Sequence, residues 1–169
     1  MRDTCQSFDE SAAPTTVSEE GVGYVVDQRT AIVLTVGLVR EATTLVTAAD
    51  SAMLVSPLVP DVYASARMIA FIEGTCAALM AEHLGPGETS VGVGFQFSHE
   101  AATPIGMRVR VMVRLIEVDR RRCVFAAEGH DATERITVGR HERFVVDREK
   151  FLARVRAKGQ GIAAPGRGE

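Results

Sequence analysis

The sequence predicts an α+β fold in which an antiparallel sheet wraps around a single long helix. Residues 61–83 repeat apolar side chains at helical spacing, which is the pattern of one amphipathic helix. The segments on both sides of this helix alternate apolar and smaller or polar residues with the period of a half-buried strand. Strands that follow one another without intervening helices favour an antiparallel sheet with a helix packed on one face.

The first element is a strand or hairpin within residues 30–50, which are rich in Val, Ile, Leu and Thr. After the Pro-containing stretch SPLVPD, we expect the helix to begin with Asp61 as its N-cap, since an Asp side chain accepts hydrogen bonds from first-turn N–H groups. The apolar face of the helix carries Ile69, Ile72, Cys76 and Leu79. The Gly and Pro of LGPGE then end the helix.

Four strands follow in direct succession. Their sequences are VGVGFQFSH, MRVRVMVRLIEV, RRCVFAAEGHD and TERITVGRHERFVV. The last strand leads into a short basic helix, DREKFLARVRAK. A strand, a long helix and four further strands make up the hotdog arrangement, a sheet wrapped round a helix.

Length and composition indicate one domain. The chain has 169 residues, of which 46% are hydrophobic and 24% charged, enough for a single hydrophobic core. We expect the folded domain at residues 23–158, a disordered polar segment at 1–22 and a flexible Gly- and Pro-rich tail at 159–169.

Several classes of protein are disfavoured. The N-terminal residues lack the pattern of a secretory signal, and no apolar run reaches the ~20 residues of a membrane helix. Cys5, Cys76 and Cys123 are widely spaced, as reduced cytosolic thiols are. We therefore expect a cytoplasmic protein that does not bind a membrane.

The charge distribution and the missing motifs limit the classes of ligand that this chain is expected to bind. The net charge is −3, basic residues concentrate in the C-terminal half, and Trp is absent. This balance disfavours nucleic acid, whereas the basic half could meet a phosphorylated ligand or simply form solvated strand faces. Phosphate loops, dinucleotide motifs and clustered metal ligands are missing from the sequence, so we expect no metal or redox cofactor.

Three segments carry a resemblance to a known family. They are VPDVYASARMIAFIEGTCAALM, SHEAATPIG and GRHERF, and they make the chain similar to the fluoroacetyl-CoA thioesterase family over roughly residues 30–158. The resemblance implies a hotdog fold and a dimer that forms the active site. It also implies thioester hydrolysis by a Ser or Thr, a Glu and a His.

Transferred by position, the resemblance implies catalytic roles for Ser65, Glu73 and His99. It assigns substrate binding to Gly92, whose backbone would contact the acyl end, and to Arg143.

Val59 is the third substrate-binding residue that the resemblance implies, and it departs from the family pattern. The fluoroacetyl-specific enzyme has a gating Phe immediately before the Pro that precedes the helix, where this chain has Val59. Thioester hydrolysis is therefore implied, and selectivity for fluoroacetyl groups is not.

The helix residues also have simpler interpretations. Ser65 and Glu73 are eight residues apart, so they lie about two turns apart on overlapping faces. A carboxylate among apolar neighbours has to be paired, and Glu73 could instead form an exposed pair with Arg67. Ser65 could be a small residue that permits close helix–sheet contact.

The histidines differ in their sequence context. His99 shares strand parity with Phe95 and Phe97, so it could polarise a thioester carbonyl or be an ordinary core histidine. The other three receive no catalytic role: His83 ends the helix, and His130 and His141 lie at strand edges without an obvious partner.

The remaining candidates are also open to two interpretations. Gly92 and Gly94 could expose backbone to a ligand or allow the helix to pack closely. Arg143 could bind a phosphate or carboxylate, or pair with Glu142 or Asp147.

We therefore expect a homodimeric enzyme that hydrolyses a short-chain acyl-CoA thioester to the free acid and CoA. Coenzyme A would enter only as part of the substrate, and no other cofactor would be bound. The alternatives are a hotdog enoyl-CoA hydratase or dehydratase, and a non-catalytic acyl-CoA-binding module.

Overall fold

The computed structural model describes residues 34–160. Five strands form one sheet: β1 Val39–Leu45, β2 Glu88–His99, β3 Arg108–Asp119, β4 Arg122–His130 and β5 Arg135–Asp147. Helix α1, Ser65–Ala81, connects β1 to β2, and helix α2, Arg148–Gly159, follows β5. Two short 3-10 turns, Ala48–Asp50 and Ala52–Leu54, lie between β1 and α1. The predicted order of strand, long helix, four strands and short helix is confirmed.

The sheet is antiparallel throughout, in the order β1-β3-β4-β5-β2. Strands β3, β4 and β5 are consecutive hairpin partners in its centre, and β1 and β2 are its two edges. The strand that follows α1 therefore crosses to the far side of the sheet, and α1 contacts β1, β2 and β3. The helix thus covers one face of the sheet, which we call the inner face.

The core lies between α1 and the inner face. From α1 it contains Met68, Ile72, Thr75, Cys76, Leu79 and Met80. Strand β3 contributes Val109, Val111, Val113 and Leu115, all with 0% exposure. The arginines that alternate with these residues point to the other face, as the period of two requires. Each buried aliphatic side chain contributes roughly 1.5–3 kcal/mol to folding.

The start of α1 differs from the prediction. The helix begins at Ser65, and its N-cap is Ala64, whose side chain makes no cap hydrogen bond. Asp61 instead accepts a hydrogen bond from Ser51 Oγ at 2.6 Å, which braces the preceding loop. The prediction of Asp61 as N-cap is wrong because a local sequence pattern does not reveal this longer-range partner.

The described residues include only part of the predicted terminal segments. The predicted disordered segment 1–22 and residues 161–169 of the predicted tail lie outside the described residues, as do residues 30–33 of the predicted first strand. Within that first segment the strand occupies only Val39–Leu45. Asp147 caps α2 by accepting a hydrogen bond from the Lys150 backbone N–H.

Between residues 34 and 160, no helix is both long and apolar enough to cross a membrane. In the same range, no cluster of His, Cys, Asp and Glu side chains is arranged to hold a metal ion.

Candidate active site

A bulge in β2 determines which residues face the helix. The register between β2 and β5 shifts between Gly92 and Gly94, so that Val93 is the extra residue of the bulge. Gly92 is paired with Arg143, and His99 with Thr137, both of which are buried. Paired residues of antiparallel strands share a face, so Gly92 and His99 both lie on the inner face. In a regular strand their odd separation would put them on opposite faces.

Ser65 and His99 form the first part of the site. Ser65 is the first residue of α1, and His99 is the last residue of β2. The Ser65 Oγ lies 2.6 Å from His99 Nδ1, and both residues are exposed. A hydroxyl that donates to Nδ1 leaves the proton of a neutral ring on Nε2, where it can be donated to a ligand. This hydroxyl–imidazole pair brings together two of the three predicted catalytic residues.

Glu73 forms a second cluster, further along α1. Its Oε1 lies 3.2 Å from Arg143 Nη1. The Glu73 side chain is 37% exposed and the Arg143 side chain 4%, so a buried guanidinium holds a carboxylate that solvent can reach. The predicted need of Glu73 for a partner is met by Arg143 rather than by Arg67. Loss of the Glu73 charge would leave the buried Arg143 cation without its counter-charge, which lowers stability.

Arg143 is held by several groups at once. Its Nε donates to Ser90 Oγ at 3.0 Å, and its Nη2 donates to the Ser90 carbonyl oxygen at 2.9 Å. Its Nη1 also faces His141 Nε2 at 3.1 Å. Glu142 and Asp147, the alternative partners considered above, instead pair with Arg122 and cap α2. The guanidinium is therefore occupied within the chain, and substrate binding by Arg143 stays a prediction.

His141 is the residue that sequence reasoning missed. It has 0% exposure, its Nδ1 lies 2.9 Å from the Gly94 carbonyl oxygen, and its ring stacks on Phe95 with centroids 4.4 Å apart. The expectation that it has no obvious partner is wrong. Its neighbours Gly94 and Phe95 lie on β2, and they are placed beside it by the bulge in the β2–β5 register. A local sequence pattern does not reveal this register. The available signal was its spacing of two from Arg143, which places both side chains on one face.

Gly92 forms the wall against which Glu73 lies. A Cβ built at Gly92 would overlap with Glu73 Oε1 and would lie 3.0 Å from Phe95 Cζ. The position therefore accommodates the carboxylate because it has no side chain. The group that approaches Gly92 closely is thus the side chain of Glu73 on the helix. This agrees with the interpretation that the glycine allows the helix to pack closely.

A buried thiol next to this cluster is unreactive. Burial raises the pKa of Cys76 to about 12, although the neighbouring Arg143 acts in the opposite direction. Cys76 therefore stays protonated at neutral pH, and Glu73 is the group beside it that can act as base or nucleophile.

The two parts of the site are separated within one chain. Ser65 and Glu73 are eight residues apart on α1, which corresponds to about 12 Å along the axis and about 80° around it. Ser65 is hydrogen-bonded to His99, and Glu73 is paired with Arg143. The expected direct partnership of Ser65 with Glu73 is therefore not formed within one chain.

Val59 lies on the loop that leads to α1. This loop exposes apolar side chains, among them Leu58 at 93% and Val59 at 39%. The Val59 backbone N–H donates to the Ser56 carbonyl oxygen in a turn. Its predicted contact with the substrate stays a prediction.

Comparisons with known proteins identify the family of this chain. A family model described as "Fluoroacetyl-CoA-specific thioesterase" matches residues 46–149, more than half of the chain. This chain belongs to that family. As a member of the fluoroacetyl-CoA-specific thioesterase family it is a thioester hydrolase.

Individual relatives support both family and fold. The fluoroacetyl-CoA thioesterase of Streptantibioticus cattleyicolor is 41% identical over 99 residues, which are 59% of this chain and 71% of that protein. A solved fluoroacetyl-CoA thioesterase structure matches with a TM-score of 0.71 and 34% identity, over 74% of this chain and 97% of that one. A hot-dog-like protein from Thermanaerovibrio acidaminovorans matches with a TM-score of 0.69 and 23% identity, over 75% and 94% of the two chains. The predicted hotdog fold is confirmed.

Proposed function

We propose that this family member hydrolyses short-chain acyl-CoA thioesters, with Glu73, Ser65 and His99 as its catalytic residues. The observation that carries the proposal is the 2.6 Å contact between Ser65 Oγ and His99 Nδ1 at the exposed start of α1. A short contact between two exposed side chains from different elements contributes little to folding, but it orients an imidazole for a ligand.

In this proposal His99 stabilises the charge that develops on the thioester oxygen. With Ser65 donating to Nδ1, the ring carries its proton on Nε2 and donates it to the carbonyl oxygen. The backbone of Gly92 contacts the acyl end. The His99 hydrogen bond is stronger to the tetrahedral intermediate than to the planar thioester. Binding the intermediate more tightly than the substrate accelerates the chemical step.

Glu73 supplies the base or the nucleophile. As a base, its carboxylate takes a proton from water while the water oxygen bonds to the carbonyl carbon. The carbon–sulfur bond then breaks, and the coenzyme A thiolate takes up that proton. As a nucleophile, Glu73 bonds to the carbonyl carbon, the carbon–sulfur bond breaks, and coenzyme A leaves as the thiolate. Water then opens the resulting anhydride, which releases the acid and restores the Glu73 carboxylate, and the proton lost by water goes to the thiolate. Both routes use only protein groups and water, without a bound metal or further cofactor.

The complete site requires a homodimer in this proposal. A two-fold axis that crosses α1 near Ile69 would place Ser65 of each helix opposite the Glu73 position of the other, because both are four residues from Ile69. The solvent side of α1 there carries Ala66, Ala70 and Gly74, which are small and exposed. Small side chains allow a second helix to approach closely.

The free edge of β2 provides a surface for the second copy. Among residues 34–160, strand β2 pairs only with β5, and Val93 and Phe95 on it are 56% and 49% exposed. An apolar edge strand of 12 residues is a template for pairing with another chain. The opposite edge, β1, is shorter and carries Arg40 and Glu41, which disfavour such pairing.

Turnover of an acyl-CoA panel tests the activity. We expect acetyl- and propionyl-CoA to be hydrolysed faster than palmitoyl-CoA, and activity to survive chelation of metals. Faster turnover of palmitoyl-CoA would contradict the short-chain assignment. Hydration of crotonyl-CoA without release of CoA would indicate a hydratase, and tight binding without turnover would indicate a binding module.

The variant Glu73→Gln tests the mechanism. Gln is nearly isosteric but carries no charge, so we expect kcat to fall at least ~100-fold while the fold is retained. Glu82→Gln is the matched control, because Glu82 lies at the other end of the same helix in an exposed ion pair with Arg40. Near-normal turnover in a folded Glu73→Gln protein would rule out the proposed role of Glu73.

A further inference from the structure

We propose that His141 is a positioning residue for the Glu73 carboxylate. It is a neutral imidazole that accepts a hydrogen bond from Arg143 and fixes the guanidinium atom on which Glu73 lies. This inference rests on the proposed role of Glu73 in thioester hydrolysis. His141 itself lies beneath the site and does not contact the reacting atoms in this assignment.

The partners of His141 determine its protonation state. A carbonyl oxygen only accepts hydrogen bonds, so Nδ1, at 2.9 Å from the Gly94 oxygen, carries a proton and donates it. A guanidinium only donates, so Nε2, at 3.1 Å from Arg143 Nη1, has no proton and accepts. A protonated ring would place a second donor and a second positive charge against Arg143.

The same Arg143 atom contacts both His141 and Glu73. Arg143 Nη1 lies 3.2 Å from Glu73 Oε1 and 3.1 Å from His141 Nε2. Ser90 holds the other side of the guanidinium through Nε and Nη2. Arg143 Nη1 also lies 3.4 Å from the Glu73 backbone carbonyl oxygen. His141 is thus the group from the sheet that fixes the Nη1 side of the plane, and with it the position of the Glu73 carboxylate.

His141 also holds the wall opposite Arg143. Its Nδ1 binds the carbonyl of Gly94, the residue that follows the bulged Val93, and its ring stacks on Phe95. The other end of the bulge is Gly92, where the absent side chain leaves room for Glu73 Oε1. The His141 imidazole therefore contacts both the Arg143 guanidinium and the β2 bulge, the two parts of the structure that surround the Glu73 carboxylate.

The surroundings keep the ring neutral. Burial is the main reason why the pKa of His141 lies below its ordinary value of 6.5, and the Gly94 carbonyl opposes this effect. Arg143 on β5 lowers the pKa further, whereas Glu73 on α1 and Glu142 on β5 favour the cation. At neutral pH the acceptor at Nε2 is therefore available to Arg143.

Two substitutions separate the functions of the two ring nitrogens. In His141→Gln, the side-chain oxygen can reach the position of Nε2 and accept from Arg143. In His141→Asn, the shorter amide can replace Nδ1 at Gly94 but leaves Arg143 without its acceptor. The control is His130→Asn, at the end of β4, outside both parts of the site.

The readouts are kcat, KM and their pH dependence with acetyl-CoA. We expect His141→Gln to keep kcat within about 3-fold of the parent, and His141→Asn to lose about 10-fold or more in kcat with a smaller change in KM, since a carboxylate displaced by a fraction of an ångström reacts slowly. The parent should also lose activity in acid as His141 is protonated, a step that His141→Gln lacks. Equal kcat values in the Gln and Asn variants would overturn the proposal.

A second measurement does not depend on activity or on the variants folding. Long-range ¹H–¹⁵N NMR of the intact parent should show His141 protonated on Nδ1 and not on Nε2, with most of the ring still neutral at pH 6.5. A ring protonated on Nε2 would overturn the proposal. If the parent hydrolyses no acyl-CoA, the proposed function is wrong. The observed tautomer would still show whether His141 accepts a hydrogen bond from Arg143.

Discussion

Glu73 lies between a glycine and a guanidinium, and both neighbours restrict its position. Arg143 Nη1 pairs with its Oε1, and Gly92 leaves the space that this oxygen occupies. Because Arg143 is itself buried and hydrogen-bonded to Ser90 and His141, the carboxylate has a stiff support. In the proposed mechanism, a carboxylate held in this way spends little time in unproductive orientations, which favours turnover.

At the scale of single residues, Gly92→Ala tests this packing. The new Cβ would overlap with Glu73 Oε1, so either the carboxylate or the strand must move. We expect at least a ~10-fold loss of kcat, since a displacement of about 1 Å can cost as much as 100-fold. Steady-state kinetics with acetyl-CoA and the far-UV circular dichroism of both proteins check this expectation.

The matched control for Gly92→Ala is Gly94→Ala. A Cβ at Gly94 would meet only the side chain of Glu142, at 3.3 Å or more, and that side chain lies on the outer face, where it can move. We expect Gly94→Ala to stay within about 3-fold of the parent. Equal losses in the two alanine variants would show that the strand, rather than the space for Glu73, limits activity.

At the scale of elements, β2 both lines the candidate site and forms one edge of the sheet. Its bulge puts Gly92 and His99 on the inner face, and its outer edge exposes Val93 and Phe95. Bulges are common where a strand has to redirect its side chains. The same strand therefore shapes the proposed catalytic cluster and carries the edge on which we propose that a second copy pairs.

Val93→Lys tests the edge of β2. A lysine on an edge strand blocks pairing with a second chain because its charge would be buried. Light scattering should show the parent at twice the 18.2 kDa mass of one chain and Val93→Lys at the mass of one chain. Leu45→Lys on β1, where Leu45 is 45% exposed, should remain a dimer. A fully active monomeric parent would contradict this use of β2.

At the scale of the whole molecule, the separation along α1 would make the proposed site depend on two chains. Ser65 and Glu73 are about 12 Å apart along the axis of one helix, and each side chain is bonded to a different partner, His99 and Arg143. An antiparallel pairing of two α1 helices would bring the Ser65 of one chain to the Glu73 of the other. Each dimer would then hold two such composite sites.

Mixed dimers distinguish a composite site from a site within one chain. Glu73→Gln and His99→Ala should each be nearly inactive as homodimers. A heterodimer of the two has one composite site with both residues intact. After subunit exchange we expect recovery of about a quarter of the parent's activity, since about half of the dimers are mixed and half of their sites are intact.

The control for this experiment mixes Glu73→Gln with the double variant Glu73→Gln/His99→Ala. No heterodimer of that pair has an intact site in either arrangement, so activity should stay at the level of the homodimers. If the first mixture also recovers nothing although native mass spectrometry shows exchanged subunits, the catalytic groups do not combine across the dimer.

Much of the architecture was predictable from the sequence because it depends on local periodicity. The period of two in β3, with its alternating Val and Arg residues, predicts one buried and one solvated face, and the helical spacing of Ile72, Cys76 and Leu79 predicts the buried face of α1. The resemblance to a family singled out Ser65, Glu73 and His99. Without it, Ser65 and His99 would have been taken as structural residues, and Glu73 would have stayed equally open to a catalytic and a structural interpretation.

The tertiary structure decided which of these residues meet. Ser65 with His99, Asp61 with Ser51, and Glu73 with Arg143 are contacts between residues 34, 10 and 70 positions apart. The bulge at Val93 shifted the parity of β2, so Gly92 shares a face with His99 and the network around His141 forms. A local pattern reports which face a residue occupies, whereas a hydrogen bond depends on register and on the crossing of distant elements, and only the folded chain determines these.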